Sequence, residues 1–374
     1  MIYFDHAATG FPKSEGVLRA IMKAHRTFGN PGRSGHLPAR MAEEMLFECR
    51  TRLAELFGST PENVVLTSGA TVALNLAIKG LYTPGGEVVT SDLEHNAVMR
   101  PLQALRLAQQ ITLKQFHVDL TSDDKTVEHF ALCAGKHAGM AVITHASNVC
   151  GRLLPIERMR ESVAREDFVI VADCSQTAGH IPIDIRKLGA DVICIPGHKG
   201  LYGPMGTGAL ICNPDREIHF RTLIEGGSGV QSLSSGMPDF LPERLEPGTP
   251  NVCGIAGLCA AAEEFRYPRE EGRLCELLAE GLKSRRGVRI HGREDGGAYL
   301  PVVLFNLEGT DCETVADALS AKGFAVRAGL HCAPAAHRSL GTLETGGVRV
   351  SIGRGNTEED VRRFLAALEQ KNTP

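Results

Sequence analysis

Between residues 63 and 212 short apolar runs alternate with longer amphipathic stretches, and this rhythm limits the fold more than any other feature. Strand-like runs occur at 64–67, 87–91, 112–118, 140–144, 168–172, 191–195 and 207–212, most of them separated by ten or more residues of helical character. Parallel strands need long crossovers, so the rhythm predicts an α/β fold with a mostly parallel seven-stranded sheet covered on both faces. Ligands of such sheets bind outside the carboxyl ends of the strands. Thr71, His95, Asn148, Asp173 and Lys199 each follow a strand-like run, so they are expected along one edge.

The flanking regions read differently. Ile2 to Gly10 forms a short strand entering a turn, with helical periodicity to about His25. Asn30 to Pro38 is too rich in glycine and proline for a helix and reads as a loop carrying Arg33 and His36, which face solvent or reach a ligand. An amphipathic helix follows from about Ala39 to Phe57. Residues 225–251 are rich in Gly, Ser and Pro, as functional or interfacial loops are. A helical region at 252–284 leads to strands at 287–290, 299–306, 324–327 and 347–352, alternating with helices at 311–322 and 357–370. The expected division is a large domain, 15–260, and a smaller α/β domain made of 1–14 and 261–374.

Composition narrows the function classes. With 40 basic against 44 acidic residues the net charge is −4, which offers no broad basic face to nucleic acid or to a membrane surface. No apolar stretch approaches the roughly 20 residues that span a bilayer. The N-terminus lacks the charged and apolar regions of a signal peptide, so a cytoplasmic address is expected. Eleven cysteines without a C-x-x-C pair argue against a disulfide framework, a structural zinc or a cluster, and no metal is expected.

Lys199 stands just after the buried run Val192–Ile195, in the Gly-rich turn Pro196-Gly-His-Lys-Gly200. Partial burial lowers a lysine pKa and frees its amine for a Schiff base; the alternative is a loop lysine in solvent. Asp173 closes the run Phe168–Ala172, and either caps a helix or pairs with a protonated ring nitrogen. Gln176 lies a turn or less further on, within reach of a ring oxygen. Thr67-Ser-Gly-Ala-Thr71 opens a helix, where backbone N–H groups either cradle a phosphate or are capped by Ser68 or Thr71. A phosphate cradle, a buried acid and a Schiff-base lysine together describe a pyridoxal 5'-phosphate site. His95 is a surface or core histidine, or an imidazole stacked on the cofactor ring that moves protons. Cys332, in Arg327-Ala-Gly-Leu-His-Cys332, is an inert loop cysteine or a thiol made reactive by positive neighbours. Arg349 interrupts a strand-like run and suits a substrate carboxylate.

These segments occur together and in order, with Phe4-Asp-His-Ala-Ala8, Glu94-His95, Ser147-Asn148, Asp173-Cys-Ser-Gln176, Gly197-His-Lys199 and Glu246-Pro-Gly-Thr-Pro-Asn251 completing the set. The chain resembles, over almost its whole length, the class V aminotransferase-fold cysteine desulfurases and selenocysteine lyases. The resemblance implies a pyridoxal-phosphate-dependent transferase of fold type I, a homodimer with a shared active site. It implies Lys199 as the Schiff-base lysine, His95 as the ring-stacking acid/base, Asp173 at the pyridine nitrogen and Gln176 at the phenolic oxygen, with Asn148 nearby. Ala70, Thr71 and His198 would hold the phosphate, joined by Thr249 of the second subunit. Arg349 would bind the substrate carboxylate, with Asn148, His36 and Ala7 beside it, and Cys332 would take the sulfur. The implied reaction converts L-cysteine to L-alanine through a persulfide that a sulfur-acceptor protein could then receive. L-selenocysteine lyase chemistry, or an aminotransferase or epimerase type of the same class, is the alternative. One departure stands out: the family commonly has a hydroxyl residue three positions before the lysine, and here it is Pro196.

Overall fold

The computed structural model of the chain describes residues 1–32 and 35–369; Arg33 lies outside them. Strand β1 (Ile2–Tyr3) leads to helices α1 (Glu15–Thr27) and α2 (Leu37–Phe57). The alternating region supplies β2 (Val64–Thr67), α3 (Ala70–Leu81), β3 (Gly86–Ser91), α4 (Asn96–Leu107), β4 (Ile111–Phe116) and α5 (Asp123–Ala134). It continues with β5 (Ala138–Thr144), α6 (Ile156–Ser162), β6 (Val169–Asp173), α7 (Ile185–Leu188), β7 (Val192–Pro196) and β8 (Gly208–Cys212). After α8 (Val252–Glu264) and α9 (Glu271–Lys283) come β9 (Val288–His291), β10 (Val302–Leu307), α10 (Cys312–Ala321), β11 (Phe324–Ala325) and β12 (Arg327–Gly329). The chain closes with α11 (Pro334–Ser339), β13 (Gly347–Ser351) and α12 (Glu358–Glu369).

The seven strands of the alternating region form one sheet in the order β2-β8-β7-β6-β5-β3-β4. Neighbours pair in parallel except where β8 meets β7 and β2. Successive residues of each strand point to opposite faces, and here both faces are apolar. Ile170, Ala172, Ile193 and Ile195 face one core with α2, α5 and α8, while Val171, Val192 and Cys194 face another with α3 and α4. Doubly covered strands must read as unbroken apolar runs, which is why the sequence announces them.

A second sheet, β12-β13-β10-β9, is antiparallel. It shares a third core with α9, α10 and α12, into which Phe4 inserts from the N-terminus. β1 pairs in parallel with β11, and the Ser351 N–H donates to Phe4 O at 2.8 Å, so residues 5–9 start from the edge of this small sheet.

Several boundaries differ from the sequence reading. α2 begins at Leu37 with Pro38 in its first turn, where the missing proline N–H is not needed. The helical region at 252–284 is two helices, interrupted around Pro268. The strand at 324–327 is split: β11 pairs with β1, and β12 with β13. Among the described residues no helix is long and apolar enough to cross a membrane.

Candidate active site

The carboxyl ends of β2, β3, β5, β6 and β7 converge on a cavity of about 540 Å3, closed on one side by residues 7 and 8 and by β12 and β13. Its wall at the start of α3 is backbone. Gly69 is the N-cap residue at φ 144°, which excludes a side chain, and no side chain caps the helix. The cap reading of Ser68 and Thr71 is therefore not realised. Val72 and Ala73 N–H turn back to Gly69 O, whereas those of Ala70 and Thr71 have no partner among the described residues. A Cβ on Gly208 would lie 2.5 Å from Ile195 O and 2.7 Å from Gly69 Cα, so glycine at this place lets β8 pass under the loop. His198 and Pro196 complete this end of the cavity.

Asp173 is the last residue of β6 and 3% exposed. Its Oδ1 accepts the Ser175 N–H at 3.0 Å, closing a turn rather than capping a helix. Gln176 donates from Nε2 to Ala7 O at 3.1 Å. Behind this floor lies Glu94, fully buried, which accepts the Ser91 hydroxyl and the Thr144 N–H. Burial raises its carboxyl pKa to about 8.

His95 has two duties that the sequence did not separate. It is the N-cap of α4, its Nδ1 accepting the Ala97 N–H at 3.0 Å, and it also lines the cavity. That hydrogen bond makes Nδ1 the unprotonated nitrogen, so the neutral ring carries its proton on Nε2. Burial, reinforced by Lys199, lowers its pKa to about 4 and keeps it neutral. Burial likewise lowers the Lys199 amine to about 8, with Asp173 opposing and Arg349 and Arg327 adding to the fall.

On the opposite wall Arg349 of β13 is 3% exposed. Its Nη2 donates to Asp5 Oδ1 at 2.7 Å and its Nη1 to Asn148 O at 2.9 Å, while Arg327 Nε holds Asp5 Oδ2 at 3.0 Å. Two buried atoms here lack a protein partner, Arg349 Nε and Asn148 Oδ1. Cys332 is exposed at the cavity mouth. It and His331 both adopt left-handed backbone, φ 55° and 51°, a strained choice for residues with a Cβ. The loop is nevertheless tied down: Asn96 N–H donates to Cys332 O, Asn148 Nδ2 to His331 O, and the His331 ring meets His337 Nε2 at 3.1 Å.

Of the residues singled out in the sequence, Ala7, Ala70, Thr71, His95, Asn148, Asp173, Gln176, His198, Lys199, Cys332 and Arg349 line this one cavity. Two do not. His36 is exposed and caps α2 through Nδ1, because the bare N–H groups of that helix need an acceptor. Thr249 lines a neighbouring cleft of about 1070 Å3 that borders the cavity along Ser68, Val72 and Gly206. Sequence reasoning gave no role to Asp5, Thr9, Lys13 or Glu94. Only Glu94 left a signal, a charged residue three positions past the end of a buried run; the others act through partners remote in sequence.

The family model for aminotransferase class-V matches residues 2–364. A probable cysteine desulfurase of Xylella fastidiosa (strain 9a5c) is 33% identical over 383 residues, covering 98% of this chain and 90% of the relative. One from Methanothermobacter thermautotrophicus is 29% identical over 384 residues, covering 99% and 94%. Among solved structures, the apo form of the cysteine desulfurase from Thermococcus onnurineus NA1 is similar with a TM-score of 0.89 at 30% identity, covering 98% and 94%. The S-sulfonic acid form of the cysteine desulfurase CsdA from Escherichia coli gives 0.86 at 26%, covering 98% and 93%. With the family model matched along nearly the whole chain and the fold shared with these neighbours, the chain belongs to the class-V aminotransferase family.

Proposed function

We propose that this protein is a pyridoxal-phosphate-dependent cysteine desulfurase that converts L-cysteine to L-alanine and takes the sulfur on Cys332 as a persulfide. The observation that carries the reading is an exposed thiol at the mouth of a cavity floored by Lys199, His95 and Asp173. Transamination or epimerisation has no use for a thiol acceptor there.

The donor set fits the cofactor. Lys199 offers an amine that loses its proton near pH 8, and Asp173 offers a buried carboxylate for a pyridinium N–H. The unpartnered N–H groups of Ala70 and Thr71, the Thr71 hydroxyl and His198 form an anion cup, with Gln176 and Asn148 toward the phenolic oxygen. When bound, the cofactor supplies an electron sink that makes the substrate Cα proton and its Cβ–S bond labile. Arg349 binds the substrate carboxylate with its unpartnered Nε edge, beside Asn148 and Ala7. The Lys199 amine would take the Cα proton, and the neutral His95, whose Nε2–H is left free by the cap and which lines the same cavity, would move protons there. The Cys332 thiolate attacks the substrate sulfur: an S–S bond forms, Cβ–S breaks and its electron pair stays on carbon; a proton added at Cβ and the return of the Cα proton from Lys199 complete alanine.

Thr249 acts in this reading from a second copy of the chain in a shared-site homodimer, supported by the cleft that adjoins the phosphate end of the cavity. His36, exposed beside the start of α2, belongs to the same contribution. We also divide the chain into a large unit, 15–260, and a small one, 1–14 with 261–374, on the strength of the separate third core. Eleven free cysteines suit a reducing cytoplasm.

The test is to supply the cofactor-loaded protein with L-cysteine and a thiol reductant and to quantify alanine and sulfide. Equal amounts of both, lost in Cys332→Ala, are expected. Undiminished turnover in that variant, or turnover of L-selenocysteine alone, overturns the assignment.

A further inference from the structure

His198 lines the phosphate end of the cavity, and the argument here rests on the pyridoxal phosphate reading of that cavity. A phosphate dianion only accepts hydrogen bonds, so the imidazole nitrogen that meets it must carry a proton. In the apoprotein, burial with Lys199 and Lys13 nearby lowers the His198 pKa to about 4, so there the ring is neutral at pH 7 and protonated on one nitrogen only. Its tautomer then decides whether it attracts or repels the phosphate.

Nδ1 faces Thr9 Oγ1 at 3.1 Å, while Nε2 has no protein partner among the described residues. The direction of the Thr9 hydroxyl therefore sets the tautomer. That hydroxyl has two acceptors in reach, His198 Nδ1 at 3.1 Å and the main-chain carbonyl of His198 at 3.0 Å. The carbonyl already receives the Gly10 N–H at 2.9 Å and the Lys13 ammonium at 2.9 Å. Two donors fill its two lone pairs. Lys13 also donates to Gly10 O at 2.6 Å and toward Thr9 Oγ1 at 3.4 Å, and no carboxylate pairs with it among the described residues. With the carbonyl filled, the hydroxyl proton goes to Nδ1.

We propose that Lys13 and Thr9 are positioning residues that fix His198 as the Nε2–H tautomer and so make it a phosphate donor. The bonds run one way: Lys13 Nζ–H to Thr9 Oγ1, Thr9 O–H to His198 Nδ1, His198 Nε2–H into the cavity. Bonds aligned in this manner polarise one another. The device supplies a directed N–H at the end of the cavity where Pro196 brings neither a hydroxyl nor an N–H.

Nitrogen NMR of the full-length protein with 15N-labelled histidine rings tests this, with His198 assigned by its loss in His198→Asn. The parent is expected to carry the proton on Nε2, with and without cofactor. Lys13→Met empties one lone pair of the carbonyl; the Thr9 hydroxyl turns to it, and the ring proton moves to Nδ1. Affinity for pyridoxal 5'-phosphate should then fall about tenfold or more, the loss of one hydrogen bond to a charged group, while affinity for pyridoxal is unchanged. Adding Thr9→Val removes the competing hydroxyl and returns the proton to Nε2, which a mere tether between the two loops would not do. An Nδ1–H parent, or a Lys13→Met loss that is equal for pyridoxal and its phosphate, overturns the proposal. Should the cofactor reading itself fail, the parent binds neither compound, and the tautomer of the apoprotein still decides this one. The parent spectrum decides it as well if Lys13→Met does not fold.

Discussion

The Asp5 carboxylate meets Arg349 at 2.7 Å across 344 residues of chain, and its second oxygen holds Arg327 at 3.0 Å. One acid from the N-terminal segment thus aims two guanidinium groups at the cavity wall that faces Lys199. Arg349 is almost wholly buried, so removing its counter-charge leaves an uncompensated cation and loosens its aim. Asp5→Asn, which preserves shape, is expected to lower unfolding stability by about 2–4 kcal/mol. It should raise KM for L-cysteine about tenfold, with kcat changed less, because in the proposed reaction the guanidinium would bind ground and transition state alike. Steady-state kinetics and urea unfolding read both effects; an unchanged KM would break the link between Asp5 and substrate binding.

Lys199 illustrates function placed against stability. Its amine is held at about 8, against 10.5 in the open chain, by burial. Between those values the unfolded chain carries a proton that the folded chain has lost, so this group's contribution rises with pH across the window and is least favourable below pH 8. At pH 7 the buried ammonium therefore weakens the apoprotein. Lys199→Met should be more stable than the parent by roughly 1–3 kcal/mol at pH 7, a figure reduced for the partial exposure of the side chain. The difference should shrink toward pH 10. Urea midpoints of the two apoproteins at both values check it, and a pH-independent difference counts against it.

The approach of β8 to the α3 loop gives a steric prediction. A methyl group on Gly208 meets Ile195 O and Gly69 Cα, both backbone, so neither can rotate away. Gly208→Ala should cost about 1–3 kcal/mol through displaced backbone. It should also disturb the free N–H groups of Ala70 and Thr71, so the purified protein retains less cofactor. Cofactor content by absorbance, set beside thermal unfolding, separates the two effects. Full retention would mean that the loop shifts as a unit.

What the sequence revealed follows from the same physics. Strands covered on both faces are unbroken apolar runs, so Val169–Ala172 and Val192–Ile195 mark themselves; Asp173 ends the first, and Lys199 stands in the turn that follows the second. Asp173 and Lys199 were legible for that reason. The Asp5–Arg349 pair was not, since nothing local to either residue depends on the other. Nor was the cap made by His95, because an imidazole acceptor at a helix start has no distinctive pattern. The break between α8 and α9 escaped because both flanks are strongly helical and only Pro268 marks the gap. His36, expected beside the substrate, and Thr249, expected at the phosphate from a second subunit, do not line the cavity of one chain.

Glu94 provides the last test. It lies fully buried behind Asp173, its carboxyl raised to about 8 by burial and by the Asp173 charge, against the pull of Ser91 and Thr144. The open-chain value is 4.5, so between 4.5 and 8 the folded protein holds a proton that the unfolded chain has released. The contribution to stability is then full below pH 4.5, falls as pH rises through the window, and is lost above pH 8. Glutamine is the neutral mimic: its carbonyl can accept the Thr144 N–H that Oε1 accepts at 2.8 Å. Glu94→Gln should therefore fold, and should not share the decline. Relative to the variant, the parent is expected to lose about 3–4 kcal/mol between pH 5 and pH 8.5. Urea unfolding at pH 5, 7 and 8.5 gives the two curves directly. Parallel curves would show that Glu94 is ionised throughout, and that the negative charge on the floor of the cavity is shared between two carboxylates rather than concentrated on Asp173.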